Sequence, residues 1–596
     1  MRSVERRDDT TMKPPQTVNG RRPRFLSLRC SRGWSTALAI AVLLATLRFG
    51  PLAEQSAAEC LFATSVLFAL VVFAVSASGR WAFGVVAGCV PVLLLVIAAN
   101  IKFRYLSTPL LAPDLLYYFN AEIGKTLLNY PFILAAIAAV LVAVPVLLIG
   151  LWRSERRATR STSVRVTRLA GVTVAITAIV VAMTPNGPFA AVHNRGMWQA
   201  MNDRSFISDF LVSIRSTRAH APPYLLRAAT RDDWRDLAAA DPKTSAPRPD
   251  IVAVLEESTF DPRMLTACTS NLCGARMFQA DANTIAHGWL DVHTWGGGTW
   301  TSEFAFLAGL PHTVFGPAGI YAPFNLAPRI RYTLPRLLHA DGYRTVGIYP
   351  TDGDFMNGRD AYADYGFDAF YGGEQLGLGW KSTDAELIRA FQRVFAVEKA
   401  KAHGGPIFVF MLTLHQHGPH MTPLHELPPA YDHPLFPGKL APGKPTLDDW
   451  LNLNLANYLQ RLSMSDAAMA TLESLLRRDD RPALLLHFGD HQPSFDGAIN
   501  TLTKSVPPAA GNPQFVTYYM LKGFNLPVRR EHYPVLDIAY LGSLLLDAAD
   551  VPRDPFFVAN TLLRDRCDGQ GLDCRERALR ESYRAYVFGT LDDLGN

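Results

Sequence analysis

The sequence predicts an N-terminal bundle of five transmembrane helices followed by an extracytoplasmic α/β domain with a mostly parallel sheet. Five long apolar runs occupy the first 184 residues, and strand-like and helix-like patterns alternate from residue 250 onward. Polar residues directly follow several of the strand-like runs. A chain of 596 residues is too long for one hydrophobic core, so separate structural regions are expected.

Each apolar run approaches the ~20 residues that a membrane-spanning helix requires. A buried core helix is the alternative for any one run, but five in succession favour a membrane. Ionisable residues are almost absent from these runs, which favours an anchor over an ion or substrate pathway. The runs lie at residues 34–49, 58–78, 82–100, 131–151 and 166–184.

Basic residues flank the apolar runs unevenly. Residues 1–33 hold nine Lys or Arg against three Asp or Glu, and residues 152–168 hold six Arg against one Glu. These two segments carry +6 and +5, whereas the whole chain carries +5, so the basic excess predicts topology rather than nucleic-acid binding. The positive-inside rule places both segments in the cytoplasm and everything after residue 185 outside. No cleavable signal peptide is expected, because residues 1–33 are long and polar.

Four of the seven cysteines form two close pairs, Cys268 with Cys273 and Cys567 with Cys574. Each pair could close a small loop in an oxidising compartment. A zinc site is the alternative, but no histidine accompanies either pair at ligand spacing. We therefore favour two disulfides.

The strand and helix patterns after residue 248 predict a parallel sheet covered on both faces. Such sheets place their sites at the carboxyl ends of the strands. The expected strands are 251–255, 287–293, 344–349, 407–414 and 483–488, and the expected helices start at about 301 and span 333–340, 384–398 and 451–477. The predicted regions are a basic tail at 1–33, membrane helices at 34–184, a helical connector at 185–248, the α/β domain at 249–565 and a C-terminal extension at 566–596.

Carboxylates and a hydroxyl lie at the first expected strand end and the first helix start. In LEESTF, strand alternation sends Glu256 and Glu257 to opposite faces, so only one of them joins a site. Thr299 follows three glycines and precedes an apolar helix, whose N-terminus favours an anion. A hydroxyl bound to a dication there would deprotonate more easily, whereas an ordinary N-cap threonine is the alternative.

Three further strand ends carry polar side chains. Asp490 and His491 follow the strand at 483–488, and the alternative for them is a turn Asp with a surface His. His417 follows the strand at 407–414. Asp352 and Arg359 follow the strand at 344–349, where Arg could grip phosphate oxygens or form a surface salt bridge. Oxygen and nitrogen ligands beside a hydroxyl suit metal-assisted chemistry on a phosphate or sulfate ester.

The motifs LEESTF, GGGTWTSEF, PTDGDFMNGRD, HGP and FGDH, in this order, resemble the lipoteichoic acid synthase and phosphoglycerol transferase family. The soluble domain of that family has the sulfatase and alkaline phosphatase fold. The resemblance covers about residues 30–495 and includes the outer loop PLLAPDLLYY. It implies a divalent metal, with Mn²⁺ expected and Zn²⁺ or Mg²⁺ as alternatives. It also implies metal ligation by Glu257, Thr299, Asp490 and His491, with Thr299 as nucleophile and with Asp352, Arg359 and His417 holding the substrate headgroup.

Two departures from the family pattern leave the headgroup open. Pro350 and Asn357 stand where the lipoteichoic acid synthases have a headgroup-binding His and a Trp. The Cys/Ser-x-Pro-x-Arg signature of true sulfatases is absent from the sequence, so sulfate ester hydrolysis is not expected.

The resemblance implies transfer of phosphoglycerol from a membrane phospholipid, phosphatidylglycerol, to an extracytoplasmic glycan or polyol-phosphate acceptor through a phospho-threonine. The protein would lie in the bacterial cytoplasmic (inner) membrane, with its catalytic domain on the periplasmic or extracellular side. Phosphoethanolamine transfer to lipid A or a surface glycan, and phosphodiester hydrolysis, are the alternatives. A non-catalytic assembly or sensor protein would require degraded ligands, and all four are present.

Overall fold

The computed structural model describes most of the two predicted regions. Residues 1–31 of the predicted basic tail and much of the connector at 185–248 lie outside the described residues. The described residues are 32–106, 109–117, 131–155, 162–194, 204–216, 218–222, 234–236, 248–571 and 574–595.

Among these residues, five helices are long and apolar enough to cross a membrane. Their ends differ from the predicted ends by a few residues, and the third extends furthest, six residues beyond the predicted position 100. A sixth, shorter helix follows in the connector. The six helices are α1 (Arg32–Phe49), α2 (Ala57–Ser78), α3 (Trp81–Leu106), α4 (Pro131–Ser154), α5 (Thr162–Ala182) and α6 (Phe206–Ser213).

The two ends of the bundle are held by different polar contacts. At one end Arg80 Nε donates to the carbonyl oxygen of Glu155, 3.1 Å away, at the start of the Arg-rich segment. At the other end the Glu54 carboxylate accepts from the backbone N–H of Ile207, 3.0 Å away, at the N-terminus of α6. An acceptor at a helix N-terminus satisfies an otherwise unpaired donor. The connector, and with it the α/β domain, therefore joins the bundle at the end opposite the Arg-rich segment.

The α/β domain contains an eight-stranded sheet in the order β4-β3-β5-β1-β6-β7-β2-β8. Strand β7 is antiparallel to both of its neighbours, β6 and β2, and the other neighbouring pairs are parallel. The predicted fold class, a five-helix region followed by a mostly parallel α/β domain, is confirmed. The strands are β1 (Asp250–Glu256), β2 (Thr284–Asp291), β3 (Arg344–Ile348), β4 (Ala369–Tyr371), β5 (Ile407–Leu412), β6 (Ala483–Gly489), β7 (Val516–Phe524) and β8 (Val535–Asp537).

Helices cover both faces of this sheet. Six helices pack on one face, in the same buried cluster as Ile251 and Leu255 of β1. These are α7, α8, α9, α12, α13 and α14. Helices α10 and α11 pack on the other face with Val252 and Val254. The helices are α7 (Thr299–Ala308), α8 (Leu334–Ala340), α9 (Gly358–Tyr365), α10 (Asp384–Lys401), α11 (Pro445–Arg478), α12 (Leu541–Ala549), α13 (Pro555–Arg566) and α14 (Arg577–Ala585).

Strand β7 is a structural element that the sequence patterns did not predict. All nine of its residues are buried, including Lys522. The Lys522 ammonium lies 2.9 Å from a Glu473 carboxylate oxygen and 3.0 Å from one of Asp281. These tertiary ion pairs offset the cost of burying a charge inside the sheet.

The C-terminal residues pack into the domain rather than extending from it. Tyr583, Val587 and Leu594 belong to the same buried cluster as β1. The predicted boundary between residues 565 and 566 therefore does not coincide with a break in packing.

Both predicted cysteine pairs form disulfides in the structure. The Cα atoms of Cys268 and Cys273 are 6.0 Å apart, and those of Cys567 and Cys574 are 5.3 Å apart. All four side chains are buried.

Candidate metal and catalytic site

Thr299 is the first residue of α7, and its hydroxyl points away from the helix backbone. Gly298 occupies the N-cap with φ of +87°, a left-handed conformation that suits glycine. The Thr299 hydroxyl donates to Glu257 Oε2 over 2.7 Å. The ordinary N-cap interpretation of Thr299 is therefore wrong, because the cap is Gly298 and the hydroxyl meets a carboxylate instead.

Glu257 follows β1 directly and is 3% exposed. Its backbone N–H donates to the Thr413 hydroxyl over 3.1 Å, and the Ser258 hydroxyl donates to Oε1 over 2.8 Å. Burial works to raise its pKa, but two nearby imidazoles and two hydroxyl hydrogen bonds outweigh burial, so the pKa of Glu257 lies below its usual value. The carboxylate form is thus favoured at this position.

Glu256 points to the opposite face of β1, as strand alternation requires. It lies beside His487, with 3.6 Å between Oε1 and Nδ1, and near Tyr518. Burial and the charge of Asp384 raise its pKa well above the usual value. Glu256 is part of the core on that face and makes no contact with Thr299.

Asp490 follows β6 and is fully buried. Its Oδ1 accepts from the backbone N–H groups of Ser258 and His491 over 2.7 and 2.6 Å. Within the described part of the chain, its Oδ2 accepts no hydrogen bond. Burial and the neighbouring charge of Glu257 raise the pKa of Asp490 well above its usual value. A buried carboxylate oxygen without a donor, next to a second carboxylate, is the environment that a bound cation would stabilise.

His491 directs one ring nitrogen at the Thr299 hydroxyl. Its Nδ1 lies 3.0 Å from the carbonyl oxygen of Gln492, which assigns the ring proton to Nδ1. The unprotonated Nε2 then lies 3.5 Å from Thr299 Oγ1, 3.7 Å from Glu257 Oε1 and 3.2 Å from Asp490 Oδ2. Burial lowers the pKa of His491, which keeps the ring neutral.

These residues fit a divalent cation. Ligand atoms of Glu257, Asp490 and His491 all lie within 4.8 Å of one another. The Thr299 hydroxyl contacts two of the three, so it can complete a set of oxygen ligands with one imidazole. Hard and borderline dications such as Mn²⁺, Zn²⁺ and Mg²⁺ accept such donors. His491 Nδ1 is hydrogen-bonded to the backbone carbonyl oxygen of Gln492, and such a hydrogen bond commonly orients a metal-ligating imidazole.

Asp352 lies in the loop after β3 and Arg359 in the first turn of α9, and within the described residues neither forms a hydrogen bond or ion pair with the Thr299 cluster. Asp352 Oδ1 accepts from the backbone N–H of Asp354 over 3.1 Å. The Arg359 guanidinium lies 3.4 Å from Asp354, 3.8 Å from Glu374 and above the Phe370 ring. Arg359 thus forms surface ion pairs in this structure, and its contact with a substrate phosphate stays a prediction.

His417 lies closer to the cluster. Its side chain is exposed and its Nδ1 lies 2.8 Å from the carbonyl oxygen of Gly418. Its charge lowers the pKa of Glu257, which places the ring within electrostatic range of that carboxylate. The His417 ring also packs on Trp380 with 5.0 Å between the ring centroids.

The sequence patterns missed the roles of two residues at this rim. Ser258 adopts a left-handed φ of +51° and contacts both Glu257 and Asp490. Trp380, 45% exposed, packs between His417 and Phe355. Ser258 lies within LEESTF, but its contact with Asp490 and the contact of Trp380 with His417 join segments that are distant in the chain.

A second group of metal-ligand type, Asp291, His293 and Asp537, lies at the ends of β2 and β8. Asp291 and Asp537 are register partners, and His293 Nε2 lies 3.1 Å from both carboxylate oxygens of Asp537. This His–Asp pairing provides a structural role for the group. The LDVH sequence at the end of β2 was the available sequence signal for this group.

The family comparison agrees with the strand-end geometry. Residues 249–525 match the sulfatase family. The α/β region is a sulfatase-type domain. This match agrees with the resemblance that the motif order gave for the α/β domain.

Two curated relatives match part of this chain. An uncharacterized protein of Haemophilus influenzae is 29% identical over 361 residues, which cover 58% of this chain and 62% of that protein. A putative cyclic beta-1,2-glucan modification protein of Rhizobium meliloti is 25% identical over 332 residues, which cover 52% of this chain and 45% of that protein. The matched regions thus span less than two thirds of either relative.

Among solved structures, the Streptococcus pyogenes phosphoglycerol transferase GacH in complex with sn-glycerol-1-phosphate is similar to the sulfatase-type domain. The match has a TM-score of 0.47 and 16% identity, and it covers 63% of this chain and 99% of that one.

Proposed function

We propose that this protein transfers the phosphoglycerol headgroup of phosphatidylglycerol to an extracytoplasmic glycan or polyol phosphate, with Thr299 as the nucleophile. The observation that carries the proposal is the Thr299 hydroxyl, which starts a helix and lies between the Glu257 carboxylate and the His491 imidazole. The name of the Rhizobium relative, a glucan modification protein, agrees with a glycan acceptor.

In the first half-reaction Thr299 Oγ attacks the phosphorus of the phospholipid. The bond from phosphorus to Thr299 Oγ forms, and the bond from phosphorus to the diacylglycerol oxygen breaks. Glu257, Asp490, His491 and Thr299 would hold a divalent cation, whose charge would favour the alkoxide of Thr299 and offset the charge of the phosphate oxygens. The N-terminus of α7 adds positive potential at the same point.

The proton movements require a group near the leaving oxygen. His417 is exposed at the rim and lies within electrostatic range of the cluster. In its protonated form it donates a proton to the departing diacylglycerol oxygen. It then accepts the proton of the acceptor hydroxyl, whose oxygen attacks phosphorus and releases Thr299.

The five apolar helices suit a lipid donor. A catalytic domain tethered to the bilayer meets its donor at high effective concentration. With the Arg-rich segment in the cytoplasm, the sulfatase-type domain would face the periplasmic or extracellular side of the inner membrane.

One observation favours phosphoethanolamine as the alternative headgroup. Three carboxylates, Asp352, Asp354 and Glu374, lie in the segments around Arg359. An ammonium headgroup would pair with such carboxylates, whereas glycerol would only hydrogen-bond with them. The donor experiment must therefore include both lipids.

The test uses the full chain in nanodiscs with labelled phosphatidylglycerol or phosphatidylethanolamine, Mn²⁺ or Zn²⁺, and an oligosaccharide acceptor. We expect diacylglycerol release from phosphatidylglycerol, and a phosphoglycerol adduct on the Thr299 peptide when acceptor is withheld. Thr299→Ala should abolish both signals, whereas Thr471→Ala, an exposed threonine on α11, should not.

Three outcomes would change the proposal. Diacylglycerol from neither lipid argues against headgroup transfer. Activity in Thr299→Ala equal to that of the unmodified protein removes Thr299 as nucleophile. Free glycerol phosphate at the same rate with and without acceptor indicates a hydrolase.

A further inference from the structure

A buried carboxylate connects the membrane helices to the sulfatase-type domain. Asp114, between α3 and α4, is 3% exposed. Its Oδ2 accepts from Lys102 Nζ at the end of α3 over 2.7 Å and from the backbone N–H of Leu111 over 2.6 Å. Its Oδ1 accepts from the Tyr321 hydroxyl over 2.6 Å. One side chain thus joins a membrane helix, its outer loop and the catalytic domain.

Asp114 and Tyr117 are the first and last residues of a single helical turn, Asp114–Tyr117, and Tyr117 makes a second junction. Its hydroxyl donates to Asn325 Oδ1 over 2.5 Å. Its ring packs on Tyr321 and Phe324, with centroid distances of 5.0 and 5.1 Å. The contact is therefore both polar and aromatic, and residues 321–325 form the receiving surface.

That receiving surface and the adjacent Ile320 also touch both segments of the candidate site. Trp300, the residue after the nucleophile, donates from Nε1 to the carbonyl oxygen of Ile320 over 2.6 Å. Asn357, two residues before Arg359, donates from Nδ2 to the carbonyl oxygen of Pro323 over 3.1 Å. An unbroken series of direct contacts thus runs from α3 to the neighbours of Thr299 and of Arg359.

We propose that Asp114 and Tyr117 are positioning residues for a donor that stays embedded in the bilayer. Their contacts hold the sulfatase-type domain at one height and orientation on the membrane helices, so that Thr299 meets a phosphate at the membrane surface. Small errors in the position of reacting groups cost large factors in rate. Leu115 and Leu116, on the same turn, are 46% and 63% exposed, as suits a segment at the lipid interface.

This proposal rests on the proposed function, but it predicts a difference between two substrates that the proposed function alone does not predict. A bilayer phospholipid must be approached in a fixed orientation, whereas a soluble diester can diffuse into the site from any direction. Loss of the junction should therefore slow turnover of bilayer lipid and spare turnover of a soluble phosphodiester.

The experiment compares Asp114→Asn and Tyr117→Phe with the unmodified full chain in nanodiscs that contain phosphatidylglycerol and phosphatidylethanolamine. Diacylglycerol release reports on bilayer lipid, and bis(p-nitrophenyl) phosphate reports on a soluble diester, both with Mn²⁺. We expect Asp114→Asn to lower lipid turnover by about tenfold or more, and Tyr117→Phe to lower it by a smaller factor. Turnover of the soluble diester should change by less than about twofold in both, because neither residue touches the Thr299 cluster.

Asp480→Asn, the same chemical change at an exposed position beyond α11, is the matched control and should leave both rates unchanged. Equal losses on both substrates would overturn the proposal, because the junction would then serve folding alone. Unchanged lipid turnover in both variants would overturn it as well. Retained activity on both substrates in Thr299→Ala would instead refute the proposed function, so the two failures are distinguishable.

Discussion

The Thr299 hydroxyl lies 2.7 Å from Glu257 Oε2, although the two residues are 42 positions apart in the chain. Gly298 provides the helix cap, so the hydroxyl is available for this contact. A hydroxyl between a carboxylate and the free nitrogen of an imidazole is poised to lose its proton when a cation binds.

Asp490→Asn should separate metal binding from folding. Burial and the charge of Glu257 raise the pKa of Asp490, so the paired carboxylates oppose folding when no metal is bound. Asn keeps the Oδ1 acceptor for Ser258 and His491. We expect a higher melting temperature in EDTA than for the unmodified protein, but a smaller rise on adding Mn²⁺. A Mn²⁺ response equal to that of the unmodified chain would argue against Asp490 as a ligand, and Asp480→Asn is the control.

Glu303→Gln should remove a pH dependence of stability. Burial raises the pKa of Glu303 to about 8, with a further contribution from the charge of Glu257. Between about pH 5 and pH 8 the folded chain keeps a proton that the unfolded chain has released. Stability therefore falls as pH rises through this window, by up to ~1.4 kcal/mol per pH unit. In EDTA, the melting temperature of Glu303→Gln minus that of the unmodified protein should increase from pH 5 to pH 8. A constant difference would contradict this assignment.

Gly489→Ala should disrupt the end of β6. A Cβ on Gly489 would lie 1.8 Å from the carbonyl oxygen of Thr259, so the strand would have to move away from the segment after β1. That movement would separate Asp490 from Ser258. We expect a loss of about 3 kcal/mol or more in stability, together with weaker Mn²⁺ binding. Gly379→Ala, where a Cβ meets nothing within 4 Å, should be neutral in the same thermal and metal-binding measurements.

Replacing Cys567 and Cys574 with Ser should loosen β8. The loop between them includes Gly569, whose carbonyl oxygen accepts from the Asp537 N–H over 2.8 Å. Releasing so short a loop should lower stability by about 2 kcal/mol. Hydrogen exchange at β8 should accelerate, whereas exchange at β1 should not. Equal acceleration in both strands would indicate global destabilisation instead, and Cys60→Ser, at a free cysteine, is the control.

The positions of the chemical groups followed from a few local patterns. The apolar runs that precede Glu257, His417 and Asp490 predict parallel strands. Parallel strands have their carboxyl ends at the same edge of a sheet. Strands β3, β5, β1 and β6 are neighbours in the observed order, so all of these stops lie side by side. The three glycines before Thr299 marked a helix N-terminus in the same way.

Other parts of the site depend on contacts that no local pattern contains. Trp380 reaches His417 across 37 residues, and Asp291 meets Asp537 only through strand register. Arg359 forms ion pairs with Asp354 and Glu374, a choice that the sequence left open.

The amino-acid sequence by itself determined the five long apolar helices, the sheet type and the polar residues that follow the strand ends. It also predicts the orientation of the helices from charge and the metal-ligand roles of the strand-end residues. These follow from apolar length, charge and strand period, which are properties of short segments. Only the tertiary structure decided the antiparallel β7 with its buried Lys522, the Thr299–Glu257 contact and the Asp114 junction. Each of these features joins segments far apart in the chain, so it contributes to stability only once the chain has folded.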